Sequence, residues 1–99
     1  MTNAREIVEA LRIPASHPAL AGHFPGNPIV PGVVLLDRIS AALERADGEH
    51  LANIGVVKFM LPLRPEEDAE LRIVRDGTRV SFRIDRAESV ILRGEGEIE

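Results

Sequence analysis

Residues 22–46 of this 99-residue chain read GHFPGNPIVPGVVLLDRISAALERA and join a loop rich in proline and glycine to a long apolar segment. Pro31 and Gly32 open a run from Val33 to Ala46 whose apolar spacing predicts an α-helix, because proline is tolerated in a first turn, where its missing N–H is no loss. Gly48 suits the end of this helix. Apolar side chains occupy most of the circumference, which predicts that the helix is the core of the fold.

Four strands are expected after the helix. Asp76-Gly77 is a strong hairpin signal between the second and third of them, and Arg86-Ala87-Glu88 suits a tight turn before the fourth. The third alternates apolar and polar residues, so it has one buried and one solvated face. The expected strands are Leu51 to Leu61, Ala69 to Arg75, Arg79 to Arg86 and Ser89 to Ile98. Together they predict an antiparallel sheet packed on one helix.

The secondary structure of the residues before the helix is predicted less clearly. Arg5 to Ile13 has apolar residues at both helical and strand spacing, so periodicity alone leaves both alternatives open. Ala15 to Pro31 is predicted to be a loop, because its prolines and glycines forbid a helix. Loops longer than roughly 12 to 15 residues are usually functional or disordered, and the apolar residues of this one argue against disorder.

Size and composition exclude several classes of protein. The length fits one domain, 1–99, and 44% hydrophobic with 28% charged residues is typical of a globular chain. A net charge of −4 with scattered cations argues against a nucleic-acid partner. No signal-peptide core or membrane span is found in the sequence, so we expect a cytoplasmic protein without a membrane partner. Without cysteine, thiolate metal sites are excluded, and no other residue set predicts a metal.

Two residues in the quoted stretch carry possible chemistry. His23 lies in a proline-restricted loop, where a histidine is more often structural than catalytic. Asp37 lies inside an apolar helix, and an aspartate there needs a partner, a solvated face or a proton. It can be a solvated residue paired with Arg38 or Arg45, or a carboxyl that burial keeps protonated and able to donate a proton. The N–H groups at the helix start suit a carbonyl oxygen that gains negative charge.

Taken together, Gly22-His23-Phe24-Pro25-Gly26-Asn27-Pro28 followed by Pro31-Gly32 resembles the signature of the bacterial 3-hydroxyacyl-[acyl-carrier-protein] dehydratases. The spacing from His23 to Asp37 matches that family, and Phe59, Pro62 and Pro65 resemble the strand after its central helix. The resemblance implies the α+β hot-dog fold, an antiparallel sheet of about five strands wrapped around one central helix. It also implies that Glu6 to Ile13 is the first strand.

The resemblance further implies roles for individual residues. His23 would remove the proton alpha to the thioester carbonyl, Asp37 would protonate the departing 3-hydroxyl, and the backbone N–H of Gly32 would hold the carbonyl oxygen. Phe24, Pro31 and Val33 are expected to contribute to the substrate site with Gly32. No cofactor is expected. The implied partners are an acyl carrier protein bearing a 3-hydroxyacyl chain, or a CoA thioester, and a second subunit in a homodimer or a heterodimer with a paralogue.

This sequence departs from the family at several positions. Asp37 stands where most members with this loop have glutamate, Ala41 replaces the glutamine usual one turn later, and Pro65-Glu66-Glu67-Asp68 lacks the glycine usual in that turn. The chain is also shorter than the usual fatty-acid synthesis enzymes, and in this it resembles the compact dehydratase-like proteins associated with specialised acyl or polyene pathways. Ala41 also keeps open a non-catalytic subunit that binds acyl chains or completes a heterodimer, and a thioesterase on the same fold is a further alternative.

The remaining polar residues receive simpler interpretations. His17 is expected to be structural or exposed, and His50 to be solvated in the turn after the helix. Carrier proteins are typically acidic, so an acidic enzyme would need a local basic patch to bind one. Arg38, Lys58 and Arg64 are the candidates for that patch.

Overall fold

The computed structural model describes residues 5–20 and 28–98, and in this part of the chain one α-helix lies against a five-stranded antiparallel sheet. The elements in chain order are β1 (Arg5–Leu11), a short 3₁₀ turn (Pro18–Leu20), α1 (Gly32–Asp47), β2 (Leu51–Phe59), β3 (Ala69–Asp76), β4 (Arg79–Arg86) and β5 (Ser89–Ile98). The strand order is β1-β3-β4-β5-β2, so β1 and β2 form the two edges of the sheet.

The first segment is a strand. Ile7 and Leu11 point into the core while the intervening residues are more exposed, and the whole segment pairs with β3 from Arg5↔Arg75 to Leu11↔Ala69. Pairing with a sheet therefore resolves the ambiguity that periodicity left open, in favour of the strand that the family resemblance implied.

The core lies between α1 and the inner face of the sheet. The helix contributes one buried stripe, and every strand except β2 contributes fully buried residues to the opposite wall. From β2, Leu51 and Val57 pack against the core but are only partly buried. The buried helix residues are Val34, Leu35, Ile39, Ala42 and Leu43. The prediction that α1 is the centre of the fold is confirmed, but in a single chain its burial is one-sided, because Val33 remains 64% exposed.

Ion pairs fasten the carboxyl end of α1 to the edge strand β1 and its neighbour. Asp47, the last helical residue, has a side chain only 2% exposed, and Arg75 donates to its Oδ2 at 3.0 Å. Arg5 approaches the other carboxylate oxygen as an ion pair without hydrogen-bond geometry. Two residues earlier, Arg45 donates to Glu9 of β1, and this bond raises the pKa of the guanidinium above its usual value. Gly48 then ends the helix in the left-handed conformation, as expected.

No helix within residues 5–20 and 28–98 is both long and apolar enough to cross a membrane.

Two hairpin turns differ in how well their residues suit them. Gly77 of the β3–β4 turn has φ 63° and Ala87 of the β4–β5 turn has φ 53°, both in the left-handed region that favours glycine. We predict that Ala87→Gly raises the free energy of unfolding by about 1 kcal/mol, because a residue with a Cβ pays about that much in this conformation. Equilibrium urea denaturation measures the change.

The matched control is Gly77→Ala. A Cβ at Gly77 meets nothing within 4 Å, so its cost reports the backbone conformation alone and should lower stability by a similar amount. If the Ala87→Gly variant is no more stable than the parent chain, the left-handed backbone at Ala87 carries no cost in stability and the prediction is wrong.

Candidate active site

The amino end of α1 has no side-chain cap. Pro31 occupies the N-cap position with φ −60° and ψ 142° and makes no capping hydrogen bond, since proline carries no side-chain donor or acceptor. Its carbonyl accepts a 3.0 Å hydrogen bond from the N–H of Val34. The N–H groups at the first positions of a helix have no intrahelical partner, and the helix dipole adds partial positive charge. This end of α1 can therefore bind an oxygen that carries negative charge.

A cavity of about 440 Å³ lies beside this end of the helix. The N–H of Val30 donates to the carbonyl of Leu63 at 2.8 Å, which ties the chain entering the helix to the segment after β2. Both segments are mainly apolar where they face each other. The cavity is lined by Ile29, Val30, Pro31, Gly32, Leu35, Phe59, Met60, Leu61, Pro62 and Leu63.

Phe59 packs directly on Gly32. A Cβ built on Gly32 would lie 2.5 Å from Cε1 and 2.7 Å from Cζ of the ring, closer than any side chain tolerates. Glycine at this position therefore allows the aromatic ring to cover the first turn of the helix while the backbone N–H stays clear of a side chain. The ring itself is 55% exposed, so its outer side is open to a ligand or to another chain.

Asp37 lies on the exposed side of α1, one turn after Val33. Within the described residues it makes no hydrogen bond and no ion pair, and Arg45 is paired with Glu9 instead. The solvated alternative is thus correct for a single chain, but the proposed pairing of Asp37 with Arg45 is wrong, because the β1 strand brings Glu9 to that guanidinium. The described residues also show no hydrogen bond or ion pair between the side chains of Asp37 and Arg38.

The other predicted site residues fall into two groups. Pro31, Gly32 and Val33 lie side by side at the helix start, whereas His23 and Phe24 lie outside the described residues. The roles proposed for all five stay predictions. Ala41, one turn after Asp37, is half-buried and leaves the position of the usual glutamine occupied by a methyl group.

Two other histidines have simpler surroundings. Nδ1 of His17 accepts a 3.1 Å hydrogen bond from the N–H of Ala19 and so braces the 3₁₀ turn, which agrees with the structural role predicted for it. His50 is exposed, with Nδ1 3.6 Å from a carboxylate oxygen of Glu44. Among residues 5–20 and 28–98, no group of three or more histidine, aspartate and glutamate side chains could hold a metal ion.

The turn that lacks the usual glycine is stabilised by its acidic residues. Glu66 has φ 68°, a conformation that glycine adopts more easily, and its carboxylate accepts the N–H of Ala15 at 2.8 Å. Glu67 accepts the N–H of Arg64 at 2.7 Å, and this bond lowers the pKa of its carboxyl, with a smaller contribution from Arg86. These hydrogen bonds offset the backbone strain, which explains how the departure is tolerated.

One feature of the site was missed in the sequence. β2 is an edge strand with most of its residues exposed, and the exposed apolar side chains continue beyond it through Met60 and Leu61. The signal was available, because Phe59, Met60 and Leu61 are three successive apolar residues, which breaks the alternation of a strand with one solvated face.

Comparison with known proteins identifies the family of this chain. A family model described as "ApeI-like: ApeI dehydratase" matches residues 1–95. The chain belongs to the ApeI-like dehydratase family. This membership, with five antiparallel strands around one helix, confirms the hot-dog fold and the resemblance to the 3-hydroxyacyl dehydratases.

Individual relatives of this ApeI-like chain agree. It is 35% identical over 71 residues to the 3-hydroxyacyl-[acyl-carrier-protein] dehydratase FabZ of Haemophilus influenzae, covering 62% of this chain and 48% of that protein. The chain thus spans about half the length of the curated relatives it matches. The dehydratase heterocomplex ApeI:P from Xenorhabdus doucetiae superposes with a TM-score of 0.83 at 28% identity, covering 94% of this chain and 86% of that one.

The fold also occurs with other activities. A mutant of the fluoroacetyl-CoA-specific thioesterase FlK superposes with a TM-score of 0.67 at 17% identity, covering 99% of this chain and 86% of that chain. Identity this low establishes the shared fold alone, since one fold carries many functions.

The packing of Phe59 on Gly32 is testable in the ApeI-like chain. We predict that Gly32→Ala lowers the free energy of unfolding by about 1 kcal/mol, the low end of the usual overpacking cost, because the half-exposed ring can shift. Urea denaturation measures this cost.

A double-mutant cycle gives the control. In a Phe59→Ala background the Cβ at position 32 meets no ring, so the cost of Gly32→Ala should fall by at least half. An unchanged cost in that background would show that the ring does not limit this position.

Proposed function

We propose that this chain removes water from 3-hydroxyacyl thioesters to give trans-2-enoyl thioesters, in an active site completed by a second chain. The observation that carries the proposal is the uncapped start of α1 beneath Phe59, with Asp37 on an exposed helix face five residues after Gly32. At a helical rise of 1.5 Å per residue the two positions are separated by about 7.5 Å along the axis. The Cα–Cβ bond of Asp37 also tilts toward the helix start.

These groups match the two ends of the reacting part of the substrate. The thioester oxygen is held by the N–H of Gly32, and negative charge that develops on it in the transition state is stabilised by the helix dipole. The carboxyl of Asp37 reaches the 3-hydroxyl two carbons away. Membership of a dehydratase family supports this assignment over hydrolysis, in which a water molecule would attack the carbonyl carbon.

The elimination balances with one base and one acid. The imidazole of His23 takes the proton from C2, the electron pair of that C–H bond forms the C2–C3 double bond, and the C3–O bond breaks. The protonated carboxyl of Asp37 gives its proton to the leaving oxygen, which departs as water. Proton exchange between the resulting imidazolium and carboxylate, directly or through water, restores both groups for the next turnover.

A second chain is expected because the two edges of the sheet differ in character. The edge strand β1 is guarded by charged residues, with Arg5 and Glu9 in ion pairs to α1. The other edge strand, β2, exposes Ile54, Val56 and Phe59 and carries Lys58 as its only charged residue. Natural proteins protect free edges with charge, so the apolar edge marks the pairing surface.

The second chain would also complete the chemistry. Edge-to-edge pairing through β2 would cover the exposed face of α1 that carries Val33 and Asp37, and removal of water favours the neutral, protonated form of a carboxyl. The family resemblance implies that His23 and Asp37 of one site come from different chains. In a homodimer each chain would supply His23 to one site and Asp37 to the other. The ApeI:P heterocomplex supports a paralogous partner as the alternative.

The catalytic assignment predicts the effect of three substitutions. His23→Ala and Asp37→Asn should each lower turnover of a 3-hydroxyacyl thioester by about 10² to 10⁴ fold, the usual contribution of a positioned base or acid. Glu44→Gln is the matched control, because it removes an exposed carboxyl from the same helix and should leave turnover unchanged. The formation of the conjugated double bond is followed by its absorbance, with folding checked by circular dichroism.

The same assay separates the competing functions. Release of free thiol without conjugation would indicate a thioesterase. Full dehydratase activity in both folded variants would overturn the assignment, and an inactive parent chain would favour the non-catalytic subunit that Ala41 suggested. If Asp37 lacks an orienting partner, Ala41→Gln should raise turnover.

The pairing surface is tested on two residues that are equally exposed on opposite edges. Ile54 of β2 and Val8 of β1 are each 45% exposed. Ile54→Asp should raise the dissociation constant of the dimer by at least about tenfold, because it buries a carboxylate in an apolar contact. Val8→Asp should leave it unchanged. Sedimentation velocity over a concentration series measures both, and equal effects would show that β2 is not the pairing edge.

A further inference from the structure

Four basic residues lie in one row across the outer face of the sheet, the face turned away from α1. Strand register places Lys58 opposite Arg93, Arg93 opposite Arg83, and Arg83 opposite Arg72. Neighbouring strands are about 4.8 Å apart, so the row extends over about 14 Å. Like charges placed directly opposite each other destabilise a sheet, so this arrangement costs stability and calls for a compensating anion.

The half of the row on β3 and β4 is compensated within the chain. Arg72 donates to Glu70 at 2.9 Å and lies 3.6 Å from Glu6, while Arg83 donates to Asp85 at 2.8 Å. The Glu70 bond, followed by the nearby Glu6 charge, raises the pKa of the Arg72 guanidinium. This half of the row is part of an ordinary network of surface ion pairs.

The half on β5 and β2 is not compensated in the same way. Lys58 and Arg93 are exposed and lie opposite each other on the neighbouring strands β2 and β5. Neither makes an ion pair or hydrogen bond in the part of the chain that the structure describes. A shallow cavity of about 470 Å³ lies over these two residues and the apolar side chains of Val56 and Val74. An uncompensated basic pair in a chain of net charge −4 is a local feature that needs an explanation.

We propose that Lys58 and Arg93 form the docking surface for an acidic carrier domain that delivers the acyl thioester. Carboxylates one turn apart on a helix are about 5 to 6 Å apart, close to the spacing between these strands, so an acidic helix laid across the strands meets the row in register. This inference rests on the proposed function, since the carrier is needed only if the chain acts on a carrier-borne acyl group.

The location is compatible with the rest of the proposed assembly. The row ends at Lys58, next to Phe59, which packs on Gly32 at the candidate site. Pairing through the β2 edge would leave the outer face of the sheet uncovered. Arg38, proposed as a basic contact from the sequence, belongs to α1 on the opposite side of the sheet and takes no part in this surface.

The experiment compares two forms of one substrate. A 3-hydroxyacyl chain is supplied either on a purified acyl carrier protein or as the N-acetylcysteamine thioester, which has no carrier. The double variant Lys58→Glu with Arg93→Glu should raise KM for the carrier-borne substrate by about tenfold, because two attractive charges become repulsive. Activity on the small thioester should stay within about twofold of the parent chain.

Two further variants control the sign and the place of the effect. Arg79→Glu reverses a charge on the same strand face beside Asp76 and Glu97, outside the row, and should leave both KM values unchanged. Glu95→Gln removes a carboxylate that lies between β4 and β2 beside the row, and should lower KM for the carrier-borne substrate by about twofold.

The outcomes are distinct from those of the proposed function. Equal loss on both substrates, an effect of Arg79→Glu as large as that of the double variant, or no change in KM would each overturn the docking surface. If the parent chain dehydrates neither substrate, the proposed function fails. In that case a calorimetric titration of the carrier protein tests the docking surface by itself. The surface is retained only if the carrier protein binds the parent chain and does not bind the double variant.

Discussion

The burial of α1, a helix with apolar side chains around most of its circumference, constrains the whole chain of 99 residues. A five-stranded sheet covers one side of α1, and the stripe from Val34 to Leu43 packs there with the inner residues of β1, β3, β4 and β5. A domain this small has too little chain to cover the other side. Val33 and Asp37 therefore remain on an open face, and the proposed function follows from what covers that face.

The two ends of α1 are treated in opposite ways. At the carboxyl end Asp47 would oppose the helix dipole, and Arg5 and Arg75 compensate it while fastening the helix to β1 and β3. At the amino end Pro31 gives no cap, and Phe59 covers Gly32 without bonding its N–H. One end holds the fold together, and the other keeps its donors available for a ligand.

Much of the fold could be predicted because local signals were strong. β4 and β5 have the expected bounds, since turn residues mark both ends of β4 and the start of β5. The helix α1 extends the expected helix by one residue at each end, to Gly32 and Asp47. β2 ends at Phe59 instead of Leu61, because the N–H groups of Met60 and Leu61 both turn to the carbonyl of Ile91. This bend depends on tertiary hydrogen bonds, which the sequence of β2 does not encode.

The site was less predictable for the same physical reason. Arg45 bonds Glu9, which is 36 positions away, so no local pattern could assign its partner. The exposure of Asp37 depends on whether a second chain is present, and helical periodicity describes only which residues share a face. Lys58 was predicted from the sequence to belong to a basic patch, but the rest of the row was not, because its four members come from four strands and meet only through register.

A mixing experiment tests whether one active site needs residues from two chains. His23→Ala and Asp37→Asn are each inactive in a shared site, but a mixed dimer contains one site with both residues intact. After the two variants are unfolded together and refolded, we expect recovery to about a quarter of parental dehydratase activity, since half of the dimers are mixed and half of their sites are intact. No recovery, with mixed dimers demonstrated by native mass spectrometry, would contradict the account.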